Sequence, residues 1–151
     1  MNNFDFFVGT WTSIQSRRAK ILADCDEWYD FPAETRCWSV LGGAGSVDEV
    51  IFPTQGFSGL TVRTFDPATE NWSIYWASTR VGFALPPQVG RFDDEGVGRF
   101  LSDDVFEGRP VTVLYKWFDI QPDSCRWEQS FSVDGGETWE ANWTAAFTRT
   151  G

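Results

Sequence analysis

The chain has 151 residues, enough for one domain with a sizeable hydrophobic core, so we expect a single domain over residues 1–151. Acidic residues number 22 against 12 basic ones, and the formal net charge of −10 opposes binding to nucleic acid or to an anionic membrane surface. The chain contains no histidine, which excludes histidine-dependent catalytic triads, histidine-ligated haem and the usual zinc sites.

The amino-terminal residues 1–12 lack the basic region and the continuous apolar region of a secretory signal. No run in the sequence approaches the roughly 18 apolar residues that a membrane-spanning helix needs. We therefore expect a cytoplasmic protein.

Short alternating stretches rich in Val, Thr, Phe, Tyr and Trp recur along the chain, and no segment longer than about ten residues keeps a helical apolar period. Turn-forming residues separate these stretches, for example at 42–45, 66–71, 93–96 and 134–136. About ten strand candidates lie between the turns. Ten short strands leave two exposed edges unless the sheet closes, so we expect an all-β fold, a single up-and-down antiparallel barrel rather than a sandwich.

The first strand candidate opens at Gly9-Thr10-Trp11, and the patterning of residues 25–52 leaves either face of the following strands possible. Beyond residue 52, alternation predicts which side chains share a face. The sets in the next three candidates are Phe57, Thr61, Arg63 and Phe65; Trp72, Ile74 and Trp76; and Val111, Val113, Tyr115 and Trp117. We expect the second and third sets to point into the barrel.

The last two strand candidates show the clearest alternation. In the first, the set expected to point inward is Cys125, Trp127, Gln129, Phe131 and Val133. Gln129 is then a polar residue on an apolar face. In the second, Trp139, Ala141, Trp143, Ala145 and Phe147 are expected inward, opposite Glu140, Asn142, Thr144 and Thr148.

The turn between these two candidates reads SVDGGETW, residues 132–139, which resembles the Asp-box of sialidases and related β-propellers. A propeller needs several blades of about 40–50 residues each, so this chain is too short to form one. Gly135 and Gly136 suit a tight turn, and Ser132 and Asp134 can accept hydrogen bonds from its backbone. We therefore interpret the motif as a hairpin turn and expect no glycan-cleaving site.

The Gly9-Thr10-Trp11 stretch at the start of the first strand resembles the Gly-x-Trp signature of lipocalins and their calycin relatives. In that superfamily the tryptophan closes one end of the barrel and stacks beneath an arginine from the last strand. Arg149 shares the strand parity of Trp143 and can reach Trp11 across a closed sheet in a cation–π contact. The resemblance thus implies barrel closure by Gly9, Trp11 and Arg149.

The whole chain is similar to lipocalin-like bacterial proteins of uncharacterised function and, more distantly, to nitrobindin, a ten-stranded haem-binding barrel. Haem binding of the nitrobindin type needs a proximal histidine, so haem is not expected here. The spacing of cysteines and carboxylates shows no metal-site pattern, and we expect neither a metal nor a cofactor.

Nine Trp, three Tyr and fourteen Phe exceed what a tightly packed small barrel needs, and facing rings predict a cavity with a few polar groups in its wall. The predicted ligand-binding residues are Arg63, Trp76, Tyr115, Trp117, Trp127, Gln129 and Trp143. A buried Arg63 must meet a carboxylate, an aromatic ring or an anionic ligand. An Arg63 that faces solvent, or that pairs with Asp48 or Glu49, is an equal alternative to a ligand contact.

We therefore expect the barrel to bind a small, mostly apolar or aromatic molecule, with or without an acidic group. One alternative is an isomerase- or cyclase-type enzyme in which Tyr115 or an inward carboxylate transfers a proton, but no catalytic residue is assigned and this interpretation is less favoured. The other alternative is a filled barrel with a structural role, acting through its surface or as a homodimer.

Overall fold

A computed structural model describes residues 3–151, and within this range the chain forms a closed antiparallel barrel of ten strands. The strands are β1 (Gly9–Arg18), β2 (Trp28–Val40), β3 (Gly45–Phe52), β4 (Phe57–Asp66), β5 (Asn71–Ser78), β6 (Gln88–Phe92), β7 (Gly98–Phe106), β8 (Arg109–Gln121), β9 (Ser124–Ser132) and β10 (Glu140–Arg149). Each strand pairs with its neighbours in sequence, and β1 pairs with β10. The predicted up-and-down, lipocalin-like barrel is confirmed. Residues 1 and 2 of the predicted domain lie outside the described residues.

Helical structure is confined to short 3₁₀ turns, Asp5–Phe7 and Leu41–Gly43, in the part of the chain that the structure describes. No helix within residues 3–151 has the length and apolar character needed to cross a membrane.

The segment before β1 closes one end of the barrel, and we call residues 4–7 the plug. Its 3₁₀ turn carries the Phe4 and Phe7 side chains into the aromatic core. The Phe7 ring stacks on Trp11 with centroids 5.3 Å apart, and the Trp11 indole N–H donates a hydrogen bond to the Phe7 carbonyl oxygen (2.9 Å). Rings that do not belong to any strand therefore fill this closed end, which strand alternation could not predict.

The two ends of the chain meet at the closed end. Trp11 on β1 lies opposite Arg149 on β10, and the Arg149 Cζ atom is 4.3 Å from the centroid of the Trp11 ring. The guanidinium also donates hydrogen bonds to the carbonyl oxygens of Val8 and Phe6 (2.7 Å each). Gly9 has a φ of 130°, and a Cβ atom there would lie 2.5 Å from Arg149 Nη1, so the position requires glycine. The closure contact expected of Gly9, Trp11 and Arg149 is present.

The last strand departs from the predicted alternation because β10 contains a bulge between Ala141 and Trp143. Ala141 pairs with Ser130 and Trp143 pairs with Gln129, so Asn142 is the extra residue between them. The prediction that Asn142 faces solvent is wrong, since its side chain is 0% exposed and accepts a hydrogen bond from Gln129 Nε2 (2.8 Å).

The bulge also reverses the face of Ala141, which pairs with Ser130 and points away from the cavity, so its inward prediction is wrong. The inward prediction for Trp139 is wrong too, because this residue lies in the turn before β10 and is 38% exposed. The inward prediction for Val133 is also wrong, because this residue lies beyond the end of β9 and is 43% exposed. After the bulge, the inward orientation is as predicted for Trp143, Ala145 and Phe147.

The Asp-box sequence forms the hairpin turn between β9 and β10, as we interpreted it. The Ser132 hydroxyl donates a hydrogen bond to Asp134 Oδ1 (2.7 Å) and accepts one from the backbone N–H of Gly136 (2.8 Å). Asp134 also accepts hydrogen bonds from the side chain and the backbone N–H of Thr138. These bonds, led by the one from the Thr138 side chain, hold the pKa of Asp134 well below its usual range.

Candidate functional site

The interior of the barrel contains a cavity of about 130 Å³ between two clusters of aromatic side chains. One cluster is the closed end with its plug. The other consists of Phe31, Ala33, Val50 and Phe52, with Phe57, Trp76 and Trp143 packed against them. A dry apolar cavity of about 150 Å³ can hold a benzene molecule. The cavity of this barrel therefore has room for about one aromatic ring.

The predicted ligand-binding residues all line this cavity. They are Arg63 on β4, Trp76 on β5, Tyr115 and Trp117 on β8, Trp127 and Gln129 on β9, and Trp143 on β10. Within the wall, the Trp127 ring meets Tyr115 and Trp143 edge-on, at centroid distances of 5.3 and 5.6 Å. The structure thus brings these residues together around one space, which a shared site requires.

Sequence reasoning missed the wall residues of the first three strands. Gln15 on β1, Thr35 on β2 and Asp48 on β3 line the cavity. Thr35 and Asp48 fall within the range 25–52, where mixed patterning left either face possible. Gln15 carried a usable signal, because it shares the strand parity of Trp11 and both are buried.

Arg63 forms a buried ion pair with Asp48 in the cavity wall. Arg63 Nη2 lies 2.5 Å from Asp48 Oδ2, and Nη1 donates a hydrogen bond to Ser46 Oγ (3.2 Å). The β3–β4 register produces this arrangement, since Ser46 lies opposite Arg63 and Asp48 follows two residues later on the same face. Of the two alternative partners, Asp48 is therefore the one that Arg63 meets. Glu49 instead pairs with Arg36 at the surface (3.1 Å).

Aromatic rings also surround the Arg63 guanidinium. Its Cζ atom lies 4.8 Å from the centroid of Phe4, 5.5 Å from that of Phe7 and 5.6 Å from that of Trp117. The negative faces of these rings attract the cation. Together with Asp48 they explain how a charged side chain that is only 2% exposed is accommodated.

Burial sets the protonation of the titratable groups at the cavity. It raises the pKa of Tyr115 to about 12, and the nearby charge of Asp104 adds to the shift. Burial also raises the pKa of Asp48, while the charge of Arg63 and its hydrogen bond oppose that shift. The Cys37 thiol, opposite Asp48 in the β2–β3 pair, has its pKa raised to about 11, mainly by burial. At neutral pH, Tyr115 is protonated, so its hydroxyl is a hydrogen-bond donor rather than a base.

Two side-chain amides in the wall are already hydrogen-bonded. Gln15 Nε2 donates to Ser13 Oγ, and Gln15 Oε1 accepts a hydrogen bond from the Trp143 indole N–H (2.8 Å each). Gln129 Nε2 donates to Asn142 Oδ1 (2.8 Å), a contact that the bulge in β10 makes possible. These bonds fix the orientations of the Trp143 ring and of the Gln129 amide.

The described residues contain no group of three or more Cys, Asp, Glu or His side chains that could hold a metal ion. Asp48, the carboxylate that lines the cavity with Arg63, is already bonded to that guanidinium. The wall therefore offers ring contacts and hydrogen bonds rather than metal ligands.

Comparison with known proteins supports the fold. The structure is similar to that of an S-type phycobiliprotein lyase from Guillardia theta, with a TM-score of 0.58 and 11% sequence identity, covering 97% of this chain and 89% of the lyase chain. No protein family model matches the sequence, and no curated protein matches it at a significant level. At this identity the similarity shows a shared barrel fold. The relation to bacterial lipocalin-like proteins and to nitrobindin stays a prediction.

Proposed function

We propose that this barrel binds a small, mostly apolar or aromatic molecule in its central cavity. The observation that carries the proposal is a space of about 130 Å³ whose wall is largely aromatic, with polar groups such as Arg63, Tyr115 and Gln129 among the rings. An apolar pocket with a few oriented polar groups is the usual form of a small-molecule site. The phycobiliprotein lyase shares the barrel but few residues, so the proposal rests on the cavity of this chain.

The size of the cavity sets the expected affinity. A buried aromatic ring system removes about 150–250 Å² of surface from water. At about 25 cal/mol per Å², burial of a single ring at the lower end of that range contributes roughly 4 kcal/mol, from which the cost of association is subtracted. That upper limit corresponds to a dissociation constant of about 1 mM. Titrations with one-ring compounds should therefore extend into the millimolar range.

Filling the cavity tests the proposal. Val50 lines the cavity on β3, whereas the next residue, Ile51, is 40% exposed and points to the opposite face. In Val50→Phe the added ring atoms occupy the ligand's space, so we expect toluene to bind about tenfold more weakly or not at all. Ile51→Phe places a ring outside the barrel and should bind toluene as the wild type does. Isothermal titration calorimetry measures both affinities, and a change in the intrinsic tryptophan fluorescence, to which the cavity-lining Trp127 and Trp143 contribute, reports occupancy.

A thermal unfolding measurement should first show that both variants are folded, and only then are their affinities compared. Equal toluene affinities in Val50→Phe and Ile51→Phe would place the ligand outside the cavity. If millimolar toluene changes neither the heat signal nor the tryptophan fluorescence of the wild type, the cavity is not a binding site for such molecules.

A further inference from the structure

Two buried polar atoms of the cavity-lining residues have no hydrogen-bond partner among residues 3–151: Thr35 Oγ1 and Arg63 Nε. Both side chains line the cavity, and both residues are almost completely buried. A buried donor without an acceptor is unfavourable, because it has lost its water and gained nothing in exchange. A ligand atom that accepts a hydrogen bond would remove this deficit.

The remaining polar groups of the wall also favour an acceptor on the ligand. The Tyr115 hydroxyl is protonated and can donate. The amide nitrogen atoms of Gln15 and Gln129 are already bonded to Ser13 and Asn142, and the Gln15 amide oxygen is bonded to Trp143. Thr35, Arg63 and Tyr115 thus each have a proton to donate to a ligand, whereas the amide nitrogen atoms of the wall are already engaged.

The charge of Arg63 is not available to a second anion. Asp48 Oδ2 lies 2.5 Å from Arg63 Nη2, and both side chains are buried, so the two charges already balance each other. A carboxylate ligand beside Arg63 would bring another negative charge close to the buried Asp48, where burial weakens the screening of charges. The pair therefore opposes an acidic ligand, although Arg63 taken alone would favour one.

We propose that the cavity selects a neutral one-ring molecule that carries a hydrogen-bond-accepting oxygen or nitrogen, and that Asp48 is the residue that excludes carboxylates. This inference rests on the proposed function of the cavity. Thr35 supplies the donor for the accepting atom, the aromatic wall contacts the ring, and Asp48 sets the charge that the site tolerates. The sequence allowed a ligand with or without an acidic group, and this proposal excludes the ligands that carry one.

Three probes of similar size test this specificity at neutral pH by isothermal titration calorimetry: toluene, benzaldehyde and benzoate. For the wild type we expect benzaldehyde to bind about tenfold more tightly than toluene, and benzoate to bind at least about tenfold more weakly than benzaldehyde. Thr35→Val removes the hydroxyl and should lower benzaldehyde affinity toward that of toluene, with toluene affinity unchanged.

Asp48→Asn leaves the Arg63 charge unbalanced, so benzoate should bind about tenfold or more tightly than it binds the wild type. Glu49→Gln makes the same charge change on the adjacent, outward-facing residue, whose partner is Arg36, and should leave benzoate affinity at the wild-type value. Thermal unfolding with and without benzoate gives a second measure, since benzoate should raise the Tm of Asp48→Asn alone. If Asp48→Asn does not fold, the order of the three probe affinities in the wild type and the benzaldehyde affinity of Thr35→Val still test the proposed ligand class.

The possible outcomes distinguish a wrong ligand class from a cavity that binds no such ligand at all. Benzoate binding to the wild type as tightly as benzaldehyde, or benzaldehyde binding no better than toluene, overturns the ligand class but leaves the cavity as a binding site. Binding of none of the three probes overturns both the ligand class and the proposed function.

Discussion

The closed end and the cavity contain the same kinds of residue, yet one is filled and the other is hollow. At the closed end the plug adds rings from outside the sheet, and the Phe4 ring packs edge-on against Trp72 and Phe92 at centroid distances of 5.2 and 5.0 Å. Around the cavity, Trp76 and Trp127 come from strands and border open space. A barrel of ten strands is wide enough to leave space in its interior. At the closed end the plug fills that space, and the cavity begins beyond it.

The largest expected effect comes from truncating a ring at the closed end. Phe4→Ala should lower the free energy of unfolding by about 3–5 kcal/mol, because the ring is fully buried and surrounded by others. Trp127→Ala removes a larger ring, but one that borders the cavity and so has fewer packing partners to lose. We expect Trp127→Ala to cost less than Phe4→Ala. Urea unfolding measures both, and the reverse order would mean that the two regions are packed alike.

Much of the fold and of the cavity wall followed from alternation in the sequence. The pattern of β5, β8 and β9 placed Trp76, Tyr115 and Trp127 on inward faces, since a half-buried strand exposes every second side chain to the core. The closure contact of Trp11 with Arg149 followed from the Gly-x-Trp resemblance.

The alternation of inward and outward side chains could not predict other features of the structure. A bulge shifts the pattern by one residue without a local sequence signal, which is why the orientations of Ala141 and Asn142 were predicted wrongly. The plug has no strand pattern at all, and its position depends on contacts with residues far along the chain. Asp48 could not be assigned to a face, because its strand lies where the patterning is mixed. The sequence predicted Arg63, Tyr115 and Gln129 in the wall, but the choice of Asp48 as the partner of Arg63 came only from the structure.

A substitution at Gly59, the residue that keeps the cavity open, is expected to have an intermediate effect on stability and on toluene affinity. Gly59 is buried on β4, and a Cβ atom at this position would overlap Trp76 Cη2 and lie 2.5 Å from Trp76 Cζ3. The Trp76 ring therefore lies against the barrel wall only because residue 59 has no side chain. Gly59→Ala should push the ring toward the cavity, weaken toluene binding about tenfold and lower stability by about 1–3 kcal/mol.

Two further variants show whether the ring is responsible. Gly82→Ala adds the same methyl group where a Cβ would meet nothing within 4 Å among the described residues, and it should bind toluene normally. Adding Trp76→Leu to Gly59→Ala should restore room in the cavity and recover part of the affinity. If Gly59→Ala binds toluene as the wild type does, the middle of the barrel can stay hollow without this glycine.

The smallest expected effect concerns the hairpin at the end opposite the plug, where hydrogen bonds rather than rings hold the turn. The pKa of Asp134 is lowered in the folded state, so its charged form stabilises the fold above the usual carboxyl pKa, and this stabilisation declines as the pH falls from there toward the lowered pKa. Asp134→Ala should lower the Tm modestly at pH 7, with a difference from the wild type that shrinks toward pH 3. Asp94→Ala, in an exposed turn near the plug, is the control and should show no such trend. Circular dichroism melts at several pH values measure the differences. A constant gap between Asp134→Ala and the wild type at all pH values would show that the turn is held by its backbone geometry and not by the charged carboxylate.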